Sequence, residues 1–280
     1  MTRMEITSAR SAPVGRARRL HKRAFREADH RFLAEGPQAV REALAAPGAV
    51  IEVLATGDAS RRHPELPAAA AAAGVPWHTA SGAVMSELAG TVTPQGVVAV
   101  CAMPSTTLEQ VFATRPRLIA VLAQVRDPGN AGTVIRVADA AGADAVVLTT
   151  ASVDPYNPKC VRASAGSIFH LPVVAAATFD EVLLGLRALS IQVIAADGAR
   201  GRSLADPDVV TRLAAPSAWL FGNEAWGLPS ELIEVADLVA AVPIYGAAES
   251  LNLSTAAAVC LYASAGAQRV ASADARPTPA

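Results

Sequence analysis

The stretch VPIYGAAESLNLSTAAAVCLY, residues 242–262, decides the fold. It reads as the end of a strand, a polar loop and the start of a helix built from very small residues. Ser250 and Asn252 stand where that helix begins, and the side-chain oxygen of either can accept from backbone N–H groups that a first turn leaves unpaired. The helix itself carries Ser254, Ala256, Ala257, Ala258, Ala263, Ser264 and Gly266. Side chains this short let another backbone come close, so the helix is expected to be packed on most sides. An ordinary capped, buried helix would carry the same signals, so the stretch takes its meaning from its surroundings.

Working outward, residues 117–270 alternate apolar strands with helices. Strands are expected at 118–124, 145–148, 172–174, 192–195, 218–221 and 239–243, and helices at 131–141, 160–165, 179–189, 229–236 and 253–267. Continuous apolar strands between helices imply an α/β fold with a mainly parallel sheet covered on both faces. Upstream, residues 15–103 read as a smaller α/β domain. It has a basic helix over 15–34, helical segments at 38–45, 66–73 and 84–88, and strands at 50–55, 75–78 and 96–101. Residues 104–116 read as a linker because of their proline, serine and threonine content. Residues 1–14 and 271–280 read as a disordered and a mobile tail.

Composition narrows the class. Apolar residues make up 52% of the 280 and charged residues 18%, which suits buried α/β cores. No apolar run reaches the length of a membrane span, and the arginine-rich start lacks the apolar segment of a secretory signal. Cys101, Cys160 and Cys260 lie far apart without metal-ligand spacing, so no metal is expected; free thiols point to a reducing cytoplasm. The net charge of -1 hides an asymmetry: residues 1–31 hold nine Lys or Arg against three acids. A basic arm of this kind, with Arg16, Arg18, Arg19, Lys22 and Arg23, fits contacts to a polyanion backbone, although a solvated helix face would look the same.

In a parallel sheet the functional loops sit at the carboxyl ends of the strands. Two more unusual loops fall there. QVRDPGNAGTVIR, residues 124–136, makes a turn at Pro128-Gly129 and offers Asn130 as a helix cap; Arg136 falls opposite the face of Val134, Val137, Ala138 and Ala141. LFGNEAWGLPSE, residues 220–231, puts Gly222 directly after a strand, where a ligand can approach the backbone, and places Asn223 and Glu224 in an apolar setting. Neither loop contains the glycine spacing of a dinucleotide fingerprint or a P-loop, which argues against a nicotinamide-dependent dehydrogenase. Each loop alone is an ordinary turn; the order and spacing of the three together are specific.

Those three loops resemble the SpoU–TrmH branch of the SPOUT RNA 2'-O-ribose methyltransferases. The resemblance rests on Asn130 and Arg136, on Phe221-Gly-Asn-Glu224 with Gly227-Leu228, and on Pro243-Ile244 with Ser250-Leu-Asn-Leu-Ser254, within residues 117–268. Ala225 departs from the glycine that many members carry. Residues 25–103 resemble more loosely the substrate-binding domain of ribosomal-RNA members. The resemblance implies a C-terminal trefoil knot, which periodicity would not suggest. It also implies S-adenosylmethionine as cofactor, held by Gly222, Val242, Ile244, Leu251 and Asn252, and a homodimer with sites at the subunit interface. Arg136, Asn130, Ser250, Asn252 and Glu224 would form the catalytic group. An arginine side chain stays cationic, so Arg136 suits holding a phosphate and the developing alkoxide better than removing a proton. YNPKCVRASAGS, residues 156–167, resembles a second basic element, so Lys159 and Arg162 are candidates for RNA contact, with a plain ion pair as the alternative. Ribosomal RNA is favoured over tRNA because of the extra domain. A non-catalytic RNA-binding protein of the same fold stays open as the other class.

Overall fold

The computed structural model describes residues 5–91 and 93–274. The chain divides into two compact units, Met1–Ser105 with Asp154–His170, and Thr106–Val153 with Leu171–Ala280. Residues 154–170, inside the range expected to form the large domain, therefore pack with the first unit.

The first unit contains α1 (Ala12–Arg19), α2 (Arg23–Asp29), β1 (Arg31–Glu35), α3 (Pro37–Ala45), β2 (Val50–Ala55), α4 (Gly57–Arg62), α5 (Glu65–Ala72), β3 (Trp77–Thr79), α6 (Gly82–Leu88) and β4 (Val97–Ala102). The sheet order is β1-β4-β2-β3, with β4 antiparallel to both neighbours and β2 parallel to β3. Two expectations are corrected here. The basic helix expected over 15–34 is two helices and a strand. His30 ends α2 in the left-handed region at φ 48°, and Phe32, Leu33 and Ala34 are all buried in β1. The burial of three consecutive apolar side chains outweighs the helical charge pattern around them. The disordered tail expected over 1–14 is ordered from residue 5, since Ile6 bridges Ala80 and Val14 is fully buried against Met85 and Leu88 in the core. Residues 1–4 lie outside the described residues.

In the second unit α7 (Leu108–Ala113), within the expected linker, leads to β5 (Leu118–Leu122), α8 (Pro128–Ala141) and β6 (Ala145–Thr149). The chain next supplies α9 (Pro158–Ser164) and the 3-10 turn Ser167–Phe169 to the first unit. It returns as β7 (Val173–Ala177), α10 (Phe179–Ala188), β8 (Gln192–Ala196), β9 (Arg202–Ser203), α11 (Pro207–Arg212), β10 (Ser217–Phe221), α12 (Ser230–Glu234), β11 (Leu238–Ala241) and α13 (Leu253–Asp274). The seven strands run in the order β7-β6-β5-β10-β8-β11-β9 and every pair is parallel. Helix α13 runs seven residues past its expected end at 267, so residues 271–274 of the expected mobile tail are helical; residues 275–280 lie outside the described residues.

Strand alternation sorts the core. Ile119, Val121, Val193 and Leu220 share a buried cluster with Val111 of α7 and with Val182 and Leu186 of α10. Each such side chain contributes about 1.5–3 kcal/mol when removed from water. On β10 the alternate residue Trp219 is fully buried, and its indole Nε1 donates to Ser264 Oγ of α13 at 2.8 Å. The small side chains of α13 admit both this ring and α8, against which Tyr262 Oη donates to Ala140 O at 3.3 Å. Part of the close packing expected of this helix is thus met within one chain.

Candidate functional site

Parallel strands place all their carboxyl ends at one edge of the sheet, and the loops after β5, β8, β10 and β11 meet there. After β5, Asp127 caps α8: its Oδ1 accepts from Asn130 N at 2.8 Å, with Pro128 in the first helical turn. This corrects the expectation that Asn130 is the cap. Proline, with no N–H to satisfy and φ preset, lets the helix start three residues earlier than expected. The amide of Asn130 is consequently available for other bonds. Its Nδ2 donates to Glu224 Oε1 at 3.1 Å, and its Oδ1 accepts from Asn252 Nδ2 at 3.0 Å. Three loops that are 94 and 122 residues apart in sequence are tied through one side chain.

Each loop is also braced internally. After β10, Asn223 and Gly227 exchange two backbone bonds of 2.9 Å, and Asn223 Nδ2 donates to Gln124 O at 2.8 Å. The turn is so tight that a Cβ on Gly222 would lie 2.3 Å from the Gly227 carbonyl carbon. Glu224 Oε1 accepts from Asp127 N at 3.4 Å and its Oε2 from Arg126 N at 3.5 Å. The Arg126 guanidinium lies over the Trp226 ring, 5.0 Å from its centroid. Before α13, Asn252 Oδ1 accepts from Ser254 N at 2.9 Å and Ser254 Oγ at 2.6 Å, so Asn252 caps that helix while its Nδ2 bridges to Asn130. Ser250, expected as a cap on equal terms, is exposed at the cleft without that bond.

The loops enclose a cleft of about 770 Å³. Asn130, Gly222, Glu224, Val242, Ile244, Ser250, Leu251 and Asn252 all line it. Among the described residues, the backbone of residues 242–251 makes no hydrogen bond to any other part of the chain. Unpaired N–H and C=O groups on a cleft whose lining mixes polar and apolar side chains suit a flat ring with polar edges, and the volume is that of a small-molecule site. A nucleoside-containing cofactor therefore fits the donor set. Sequence reasoning missed the fourth wall, the loop after β8 with Asp197, Gly198 and Gly201. Its signal was two glycines just past an apolar strand: a Cβ on Gly201 would lie 2.4 Å from the Ala240 carbonyl carbon. It also missed Cys260 as a cleft residue: it lines the cleft from α13, and burial pushes its thiol up to about 12, which favours the neutral form.

Arg136 stands apart from this group. It is exposed on α8, does not line the cleft, and among the described residues has no hydrogen-bond or ion-pair partner. Six helical residues carry it about 9 Å along and about 120° around from Asn130. In the first unit the basic residues are largely engaged. Arg16 pairs with Glu52 at 3.3 Å, Arg18 with Glu87 at 3.6 Å and Arg23 with Glu27 at 2.7 Å, while the Arg19 guanidinium lies 4.2 Å from the Phe25 ring centroid. Lys22 precedes α2 as its N-cap residue. Arg162 donates to Glu35 Oε2 at 2.9 Å and to Gly90 O at 3.4 Å; Lys159 is exposed in the first turn of α9. Among the described residues no group of His, Cys, Asp and Glu is placed to hold a metal ion, the three cysteines are buried and form no disulfide, and no helix is long and apolar enough to cross a membrane.

Known proteins share this architecture. The model of the SpoU rRNA Methylase family matches residues 117–262, and one described as RNA 2'-O ribose methyltransferase substrate binding matches residues 33–107. The 23S rRNA (guanosine(2553)-2'-O)-methyltransferase RlmP of Bacillus subtilis is 37% identical over 258 residues, 92% of this chain and 98% of that protein. The crystal structure of an AdoMet-bound rRNA methyltransferase from Sinorhizobium meliloti superimposes with a TM-score of 0.79 at 30% identity, covering 93% of this chain and 97% of the other. The SpoU methyltransferase AviRb from Streptomyces viridochromogenes, in complex with AdoMet, gives a TM-score of 0.79 at 27% identity over 93% of this chain and 99% of its own.

Proposed function

The chain belongs to the SpoU rRNA methylase family, and on that premise we propose that it methylates a ribose 2'-hydroxyl of large-subunit ribosomal RNA with S-adenosylmethionine as donor. It is an enzyme of the RNA 2'-O-methyltransferase class. The observation that carries the reading is the bonded series Glu224–Asn130–Asn252, which joins three loops around a nucleoside-sized cleft. The ribosomal substrate is favoured by the likeness to RlmP and by the substrate-binding match over residues 33–107.

S-adenosylmethionine supplies a methyl group already activated by its sulfonium charge. Gly222, Val242, Ile244, Leu251 and Asn252 hold it through backbone groups and apolar contact. Asn130, Ser250 and Asn252 orient the ribose, and Glu224 fixes Asn130. A ribose hydroxyl is a weak nucleophile, so the site must position it and stabilise its developing negative charge. Arg136 performs that part from a second copy of the chain. Two features support a homodimer: Arg136 lies outside its own cleft, and α13 leaves Val259, Tyr262 and Val270 exposed at 41%, 54% and 63%. The family's trefoil knot is assigned to the segment from β10 through α13. RNA is gripped by the first unit, Lys159 and Arg162 included, with Arg19 and Lys22 contributing and with Arg16, Arg18 and Arg23 joining where phosphates displace their carboxylates.

The test is to incubate the protein with radiolabelled S-adenosylmethionine and unmodified ribosomal RNA or tRNA. Label on large-subunit rRNA is expected. Label confined to tRNA would move the substrate, and cofactor binding without label on any RNA would leave only an RNA-binding protein.

A further inference from the structure

Trp226 is the exposed tryptophan of the three. Trp219 is fully buried, and Trp77 is half-buried with its indole Nε1 donating to Ser60 Oγ at 3.2 Å. The Trp226 ring, 52% exposed, lies on the turn between Glu224 and Gly227, which both line the cleft, so it is accessible to a ligand beside that cleft. Folding supplies no reason for that exposure, because the turn that bears Trp226 is closed by the Asn223–Gly227 bonds and anchored by Asn223 to Gln124 O, with no use of the indole. The neighbouring loop presents Arg126, also exposed, with its guanidinium 5.0 Å from the ring centroid. Glu224 holds both parts of the pair in place, since it sits two residues before Trp226 and accepts from Arg126 N and Asp127 N. The ring is thus a fixed plate, with a cation on one side and solvent over much of the rest.

We infer that Trp226 and Arg126 form a stacking shelf for an unpaired base of the RNA, at or beside the nucleotide whose ribose enters the cleft. This rests on the reading of the protein as an RNA methyltransferase and adds which residues select the substrate's form. Every base has a π-face, and aromatic stacking is a main source of single-strand affinity. A paired base has both faces covered by its neighbours, so the shelf rewards a loop, a bulge or a flipped nucleotide over a duplex. The guanidinium polarises the ring beneath it and can pair with the phosphate that follows the stacked base. Glu224 acquires a second task in this scheme, as the positioning residue that keeps the shelf and the Asn130 bridge in one frame.

The experiment uses the full chain, an unmodified 23S rRNA transcript and the variants Trp226→Ala and Trp226→Phe. Trp226→Ala should raise KM for the transcript by about 10-fold or more, with kcat and S-adenosylmethionine affinity close to wild type, because stacking on one base is typically worth about that factor or more. Trp226→Phe should recover most of the loss, and binding of the transcript should quench a component of tryptophan fluorescence that both variants lack. An unchanged KM in Trp226→Ala overturns the shelf and leaves the methyltransferase reading intact. Equal loss of cofactor affinity, or a changed oligomeric state by sedimentation, also overturns it by assigning the ring to loop support or to a subunit interface. If the wild type transfers no methyl group to the transcript, the functional reading fails separately, and filter binding of the same transcript to the three proteins still decides the shelf.

Discussion

A single amide, Asn130, connects the candidate catalytic group, and its geometry sets what substitutions should do. Asn130→Ala removes the bonds to both Glu224 and Asn252, each worth about 1 kcal/mol net, so S-adenosylmethionine affinity should fall by up to about 30-fold in a calorimetric titration. Arg136→Ala should behave differently: methyl transfer should drop by about 100-fold or more, with cofactor affinity nearly unchanged, as expected of a group acting on charge that develops only in the transition state. Cys260, although it lines the cleft, should resist alkylation in the native protein at pH 8 and react once the protein is denatured, because its thiol is pushed up to about 12 by burial. That Asn130, Gly222, Glu224 and Asn252 come together at one cleft was legible in the sequence from the order and spacing of three loops, each of which alone is an ordinary turn. The division of labour between Asp127 and Asn130 was not, since two neighbouring cap-competent residues can be separated only by seeing which oxygen meets which N–H. The loop after β8 escaped notice because Gly198 and Gly201 bear no side chain that announces chemistry.

At the scale of elements, α13 and β10 are locked by the buried bond from Trp219 Nε1 to Ser264 Oγ. Ser264→Ala strands the indole N–H in a dry core and should cost about 1–3 kcal/mol in urea unfolding. The opposite side of the sheet is pinned at Asp237, which accepts from Arg187 Nη1 at 2.5 Å and from Val193 N at 2.8 Å. Burial works to raise the Asp237 carboxyl, but the Arg187 and Val193 bonds outweigh it and hold the group below its ordinary 3.8. A depressed carboxyl stabilises the fold above its ordinary value and loses that contribution as pH falls through the lowered one. Asp237→Asn should therefore be less stable than the wild type near neutrality, with the gap closing below about pH 4. The small-residue pattern of α13 and the apolar strands were readable from composition. Strand β1 was not, because its flanking charges imitate a basic helix, and α11 was missed because it is a short polar helix started by Asp206-Pro207.

At the scale of the whole molecule, the segment Asp154–His170 makes the first unit depend on sequence from the middle of the chain. Phe32 packs against Tyr156 at 4.9 Å and Phe169 at 5.8 Å between ring centroids, and Arg26, 2% exposed, pairs with Asp154 Oδ2. Removing one partner of a buried ion pair leaves the other charge stranded, so Asp154→Ala should lower stability by about 3–5 kcal/mol in thermal or denaturant unfolding. Domain boundaries drawn along the sequence could not reveal this, because only contacts between distant residues say where a segment packs. The sheet, its parallel sense and the loops that meet at its edge were accessible from strand and helix alternation alone, whereas the chemistry came from three short motifs read together. The claim on which the account turns is that the cleft delivers a methyl group to a ribose oxygen. An unmodified 23S transcript labelled by the protein with tritiated S-adenosylmethionine should be hydrolysed in alkali and its products sized. Ribose methylation blocks cleavage at the modified position, so the label should run as an alkali-resistant dinucleotide; label recovered in mononucleotides would place the methyl on a base and contradict the account.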